Sequence, residues 1–107
     1  MSAEVLLSRE EEGVLTLTLN RPEVMNSLNF ELLHRLREQV DQVRHRRDVR
    51  AVVVTGAGDK AFCSGADLKE RAGLPPEKVK EFIFTIRNLF TAIEQLGMPV
   101  IAAVNGV

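Results

Sequence analysis

The run from Val49 to Thr55 does most to restrict how this chain folds. It is nearly continuous in apolar residues, and its pattern predicts a strand of the kind buried on both faces of a parallel sheet. A helical pattern lies on each side of it. Asn29 is a good N-cap, and the helix predicted after it runs to about Arg46. Leu32, Leu33, Leu36, Val40 and Val43 share one face of that helix. Arg44, His45, Arg46 and Arg47 fall in its last turn, where cations suit the helix dipole. After the strand, Gly56 to Ser64 reads as a loop, and Asp67 to Arg71 as a short helix broken by Gly73. Pro75, Pro76 and Glu77 open a second long helix. Its apolar positions are Val79, Phe82, Ile83, Ile86, Leu89, Phe90, Ile93 and Leu96, at three-to-four spacing. Two strand–helix–strand crossovers imply an α/β layered fold.

The remaining segments fit that architecture. Glu4 to Arg9 reads as an edge strand, and Glu10 to Gly13 as a charged turn. Val14 to Asn20 alternates Leu with Thr, the period of a half-buried strand, so the two strands are expected to pair as a hairpin. Arg21 to Ser27 is an expected extended loop, because Pro22 disfavours helix at Arg21. Pro99 to Val104 reads as a buried strand and Asn105-Gly106 as the turn after it. The sequence then stops at Val107. A domain rarely ends on a turn straight after a core strand, so the chain is expected to be the amino-terminal part of a longer protein. The alternative is a short natural gene whose last strand lies at a sheet edge.

Composition excludes several function classes. The 107 residues carry a formal net charge of −1, which gives no electrostatic case for nucleic acid or an anionic membrane. The absence of Trp and Tyr argues against a base-stacking platform. No apolar run approaches the roughly 20 residues that span a bilayer. Met1 to Ser8 lacks the basic start and apolar core of a signal peptide. One cysteine, Cys63, cannot form an internal disulfide. These features suggest a soluble, cytoplasmic protein.

The stretch from Lys60 to Lys69, after the apolar strand, carries the chemistry. A strand that stops in small residues and leads into an acidic turn exposes backbone N–H groups, which can stabilise a developing negative oxygen. A helix beginning at Asp67 adds to the same positive field. Asp67 is also suited to cap that helix through its side chain, its default structural role. Other chemistries fit poorly. Gly56-Ala57-Gly58 lacks the third glycine and the long helix of a dinucleotide cradle. Cys63 has no identifiable base, since His34 and His45 both fall on the predicted first helix. These two histidines, eleven residues apart, and a single cysteine do not form a metal site. Lys69 and Arg71 read as solvated charges that could meet a phosphorylated ligand.

Four motifs in order resemble the crotonase (enoyl-CoA hydratase/isomerase) superfamily. They are Asn20-Arg21-Pro22-Glu23-Val24-Met25-Asn26-Ser27-Leu28, Val52 to Gly56, Ala61-Phe62-Cys63-Ser64-Gly65-Ala66-Asp67-Leu68, and Pro99 to Gly106. The resemblance covers essentially the whole chain. It implies a crotonase-like layered fold built from ββα and βα units, with residues 1–107 as the amino-terminal portion of an acyl-CoA-binding domain.

The resemblance also implies a site. The Ala66 N–H would be one of two oxyanion donors to an acyl-CoA thioester. Val24, Ser64, Asp67, Leu68 and Lys69 would line the CoA, with Lys69 near its phosphates. Coenzyme A would enter as part of the substrate, with no separate cofactor and no metal. The second donor and the two catalytic glutamates of the hydratases fall beyond Gly106 in the family pattern, so the 107 residues alone are expected to be inactive. Met25 stands where some relatives of other chemistry carry a basic residue. The implied activity is hydration of a 2,3-enoyl-CoA, as in fatty acid metabolism. The alternatives are isomerisation, thioester hydrolysis, or a non-catalytic CoA-binding or assembly module. A trimer or hexamer is implied for the complete protein.

Overall fold

The computed structural model describes residues 4–107; Met1, Ser2 and Ala3, part of the segment compared above with a signal peptide, lie outside the described residues. The chain runs β1 (Leu6–Glu11), β2 (Val14–Leu19), a 3₁₀ turn (Pro22–Val24), α1 (Phe30–Val43), β3 (Ala51–Gly56), α2 (Leu68–Ala72), α3 (Pro76–Glu94) and β4 (Val100–Ala103). The strands form one four-stranded sheet in the order β1-β2-β3-β4. β1 and β2 pair antiparallel, while β2–β3 and β3–β4 are parallel. The expected α/β layering is therefore present, with one helical crossover between each parallel pair.

The hairpin is tighter than the sequence suggests. β1 continues through Glu11, which pairs with Val14, so Glu12 and Gly13 alone make the turn. Both have positive φ, 52° and 83°, the geometry that matches the twist of a two-residue hairpin. Glu12 is a poor residue for that conformation, so the sequence located the turn only to within Glu10 to Gly13.

β2 alternates as predicted. Leu15, Leu17 and Leu19 are buried, and Val14, Thr16 and Thr18 are half-buried. The buried leucines face α1 and α3, whose Leu32, Leu33, Leu36, Val40, Val43, Phe82, Leu89 and Ala92 complete the core. The ring of Phe30 meets Phe82 edge-on, with centroids 4.9 Å apart. Asn29 caps α1 as expected, its Oδ1 accepting from the Leu32 N–H at 2.9 Å.

Several predicted features differ. α1 ends at Val43, so His45, Arg46 and Arg47 lie beyond it. The Arg46 guanidinium turns back to Glu10 and Asp48, fixing the return of the chain toward β3. β3 is not buried on both faces: Val52 and Gly56 are buried, and the residues between them are half-buried. Both long helices pack on one face of the sheet, leaving Thr16, Thr18 and Arg50 along an open groove on the other. The apolar face of α3 is only partly used: Ile83 and Phe90 remain exposed, whereas Ala92 is buried. β4 forms the sheet edge, paired with β3 alone, and Ile101 on it is 53% exposed. Phe62, Phe90, Ile93 and Val100 border an apolar cavity of about 130 Å³ between sheet and helices. No helix among the described residues is long and apolar enough to cross a membrane.

Candidate functional site

The carboxyl end of β3, the loop after it and the segment between β2 and α1 meet at one place. The expected extended loop from Arg21 to Ser27 is instead coiled. Pro22–Val24 make a 3₁₀ turn, and Met25 and Asn26 both adopt φ of 56°. This compact turn aims Asn26 inward, where its side chain is completely buried. Its Oδ1 accepts from the Arg21 N–H at 2.8 Å, and its Nδ2 donates to the carbonyls of Ala57 and Ala61 at 3.1 and 3.0 Å. One side chain thus fastens the turn to the loop after β3. A cleft of about 240 Å³, lined by Pro22, Met25, Asn26 and Ala57–Ala61, remains between the two.

A second clamp comes from Asn105. Its Oδ1 accepts from the Gly56 N–H at 3.2 Å, and its Nδ2 donates to the carbonyls of Gly56 and Gly58 at 2.8 and 2.9 Å. The Val107 carbonyl accepts from the N–H groups of Phe62 and Cys63. The loop between Ala57 and Cys63 is therefore held from both sides.

Ala66 sits where these constraints converge. Leu28 and Ala66 form an isolated parallel bridge. The Leu28 N–H donates to the Gly65 carbonyl at 2.7 Å, and the Asp67 N–H donates to the Leu28 carbonyl at 2.8 Å. Successive amides of an extended segment point to opposite sides, so bonds from Gly65 and Asp67 toward Leu28 turn the Ala66 N–H away from it. The neighbouring Ser64 N–H is engaged with the Met25 carbonyl at 3.1 Å. Ala66 N–H has no backbone acceptor among the described residues. Gly65 has φ of 98°, a conformation that L side chains rarely adopt, and a Cβ there would meet nothing within 4 Å. Its glycine is thus required by backbone direction rather than by crowding.

Asp67 performs the capping role expected of it. Its Oδ1 accepts from the N–H groups of Lys69 and Glu70 at 3.0 and 3.1 Å. Its Oδ2 pairs with Arg21 Nη1 at 3.1 Å, with 14% of the Arg21 side chain and 12% of the Asp67 side chain exposed. Arg21 Nη1 also donates to the carbonyl and Oγ of Ser27 at 2.7 and 3.2 Å. Glu70 adds a cap across elements, its carboxylate accepting from the Phe30 N–H at the start of α1. Sequence reasoning missed the roles of Asn26, Arg21 and Glu70. The run Asn20-Arg21-Pro22 was visible, but their partners lie too far along the chain for spacing to reveal.

The bonds from Met25 to Ser64 and from Leu28 to Asp67 bring the turn holding Val24 against the stretch holding Ser64, Ala66 and Asp67. Val24 is half-buried there, and its carbonyl accepts from the Ser27 N–H. Leu68 and Lys69 are exposed on the first turn of α2. Cys63 is partly buried against the apolar core, and His34 packs on the Phe30 ring.

The Glu70 N–H does most to hold the Asp67 carboxyl below the usual aspartate range; burial opposes it as the next largest effect, and Arg21 and the Lys69 N–H add to the lowering. A depressed folded-state value gives stability that is present above the unfolded value and is lost as pH falls through the folded one. Unfolding free energy is therefore expected to drop below about pH 4, with part of the drop missing in Asp67→Asn. Glu10 and Asp48, both lowered mainly by hydrogen bonds from Arg46, are common to both proteins. Subtracting the two pH profiles of urea unfolding thus isolates Asp67. Superimposable acid limbs would contradict the assignment.

A family model described as enoyl-CoA hydratase/isomerase matches residues 9–107. The chain is 37% identical over 106 residues to a crotonyl-CoA hydratase of Syntrophomonas wolfei, covering 99% of this chain and 41% of that protein. It is 40% identical over 108 residues to a 1,2-epoxyphenylacetyl-CoA isomerase of Escherichia coli, covering 97% of this chain and 41% of that protein. The crystal structure of an enoyl-CoA hydratase from Bacillus anthracis matches with a TM-score of 0.92 at 43% identity, over 95% of this chain and 40% of that one. The chain spans about two-fifths of the length of the curated relatives it matches. Four ordered motifs, the bridge that seats Ala66 against Leu28 and these matches lead to one conclusion: the chain belongs to the enoyl-CoA hydratase/isomerase family.

Proposed function

We propose that residues 1–107 form the thioester-binding part of an enzyme that adds water across the 2,3-double bond of an enoyl-CoA. The observation that carries this reading is the Ala66 N–H, which has no backbone acceptor among the described residues and lies between the Gly65 carbonyl and the Asp67 N–H, both bonded to Leu28. In the proposed reaction, attack at the double bond places negative charge on the thioester oxygen. A donor that is already oriented stabilises that charge without reorganising, and one such donor contributes about 10²–10³ in rate. The small residues Ser64, Gly65 and Ala66 suit this use, because the carbonyl must approach an amide nitrogen to about 3 Å.

Val24, Ser64, Asp67 and Leu68 line the CoA in this reading, and Lys69 meets its phosphates. Proton transfer and the second oxyanion donor belong to residues outside these 107, so the chain alone binds thioester without turning it over. Isomerisation would use the same enolate stabilisation. The similarity to a protein named as an isomerase keeps that reaction as the second reading.

Titrating the ¹⁵N-labelled chain with crotonyl-CoA and with free CoA tests the proposal. Crotonyl-CoA is expected to shift the Ala66 amide, while free CoA shifts Val24, Ser64 and Lys69 and leaves Ala66 in place. Failure of either ligand to move these amides overturns the binding site. Hydration of crotonyl-CoA by the purified chain overturns the proposed division of labour.

A further inference from the structure

We propose that Arg21 is a positioning residue for the Ala66 donor: it closes the loop carrying that amide and cancels the Asp67 charge beside it. The inference rests on the enolate-stabilising reading above. Its basis is a closed ring of contacts. Arg21 Nη1 reaches Asp67 Oδ2 in one direction and the Ser27 carbonyl in the other. Leu28, the residue after Ser27, bonds Gly65 through its N–H and Asp67 through its carbonyl. Ala66 lies between those two attachment points. Turning the Ala66 amide therefore requires breaking the Leu28 bridge, the Arg21–Asp67 pair, or both.

The charge matters as much as the geometry. Asp67 is adjacent to the proposed donor in sequence and is largely withdrawn from water. An uncompensated carboxylate there would repel the negative oxygen that Ala66 is meant to stabilise, and low exposure weakens the screening of that repulsion. The Arg21 guanidinium removes the penalty. The same cation holds Ser27 through two bonds, so neutralisation and alignment come from one side chain. A structural role alone would show in the stability of the variants, whereas the electrostatic role shows in kcat of variants that stay folded.

The test is steady-state kinetics on crotonyl-CoA in the complete polypeptide, comparing Arg21→Gln, Arg21→Lys and the double variant Arg21→Gln/Asp67→Asn. Gln keeps a hydrogen-bond donor and loses the charge. Arg21→Gln is expected to lower kcat by about tenfold or more with KM changed little, the pattern of an interaction felt mainly in the transition state. Arg21→Lys is expected to keep kcat within about threefold, since it retains the cation without the planar fork. The double variant is expected to recover most of the loss in kcat by removing the uncompensated carboxylate, with the loss of Asp67 from the CoA lining read in KM.

An unchanged kcat in folded Arg21→Gln overturns the inference. So does a double variant as impaired as Arg21→Gln, because removing the carboxylate would then restore nothing. If Arg21→Gln does not fold, a folded Arg21→Lys with kcat lowered tenfold or more is the overturning result. An inactive wild-type polypeptide would instead overturn the functional reading, taking this inference with it.

Discussion

Replacing Asn26 by Ala is expected to destabilise the protein by about 4 kcal/mol. The substitution strands the Arg21 N–H and the Ala57 and Ala61 carbonyls, all of which Asn26 satisfies from a fully buried position. An unpartnered buried group costs about 1–3 kcal/mol, with some relief where water can enter. Asn26 also has φ of 56°, where Asn is tolerated and Ala is strained by about 1–2 kcal/mol. The total is a large share of the 5–15 kcal/mol typical of a folded domain. Urea denaturation of the two proteins gives the difference directly. Asn26→Gly separates the causes, because it relieves the backbone strain and leaves the three groups stranded. A loss below about 1 kcal/mol in Asn26→Ala would mean that the three bonds are not the main fastening of the turn.

The second large effect is expected at Gly56. A Cβ built there would collide with the Phe62 carbonyl oxygen and would lie 2.7 Å from Asn26 Nδ2 and 2.8 Å from the Ala61 carbonyl oxygen. None of these neighbours is the free end of a flexible side chain. Asn26 is bonded on three sides, and the Phe62 N–H is held by Val107. Gly56 cannot retreat either, because Asn105 grips both its N–H and its carbonyl. Gly56→Ala must therefore displace the loop leading to Ala66, at a cost of about 3 kcal/mol, the upper part of the usual range for overpacking. Stability and affinity for crotonyl-CoA are expected to fall together, as read by thermal unfolding and titration calorimetry. Wild-type affinity in a destabilised Gly56→Ala would separate this loop from the proposed site.

Where the sequence predicted structure well, the signal was local and two-sided. β2 is legible because one face of the sheet is packed and the other is open, so Leu and Thr must alternate. α1 is legible from its leucine stripe and from Asn29, whose bond spans only three residues. The width of the buried face of α3 was not legible. Ile83 and Phe90 have the right spacing, but burial depends on what stands opposite them. The same holds for β4, whose apolar composition predicted burial at a position where the sheet has a single neighbour. At the candidate site, the four motifs led to Ala66 and Asp67 through resemblance. The residues holding them were hidden because Arg21 meets Asp67, and Asn26 meets Ala61, across the whole of α1. A side chain chosen for a distant carbonyl leaves no periodicity to detect.

The two walls of the candidate site belong to opposite ends of the β2–α1–β3 crossover, and this has a consequence for folding. Arg21 meets Asp67, and Asn26 meets Ala61, only when the chain between them has folded back, as it does in the parallel pairing of β2 with β3. Such non-local pairing is slow and gains contacts only after the entropy of closing the intervening chain has been lost. No single hairpin or helix can preassemble the site as a local unit. Ligand affinity therefore vanishes when this crossover opens, and a bound ligand stabilises the folded crossover by mass action. The proposed thioester would act on this chain as a folding ligand.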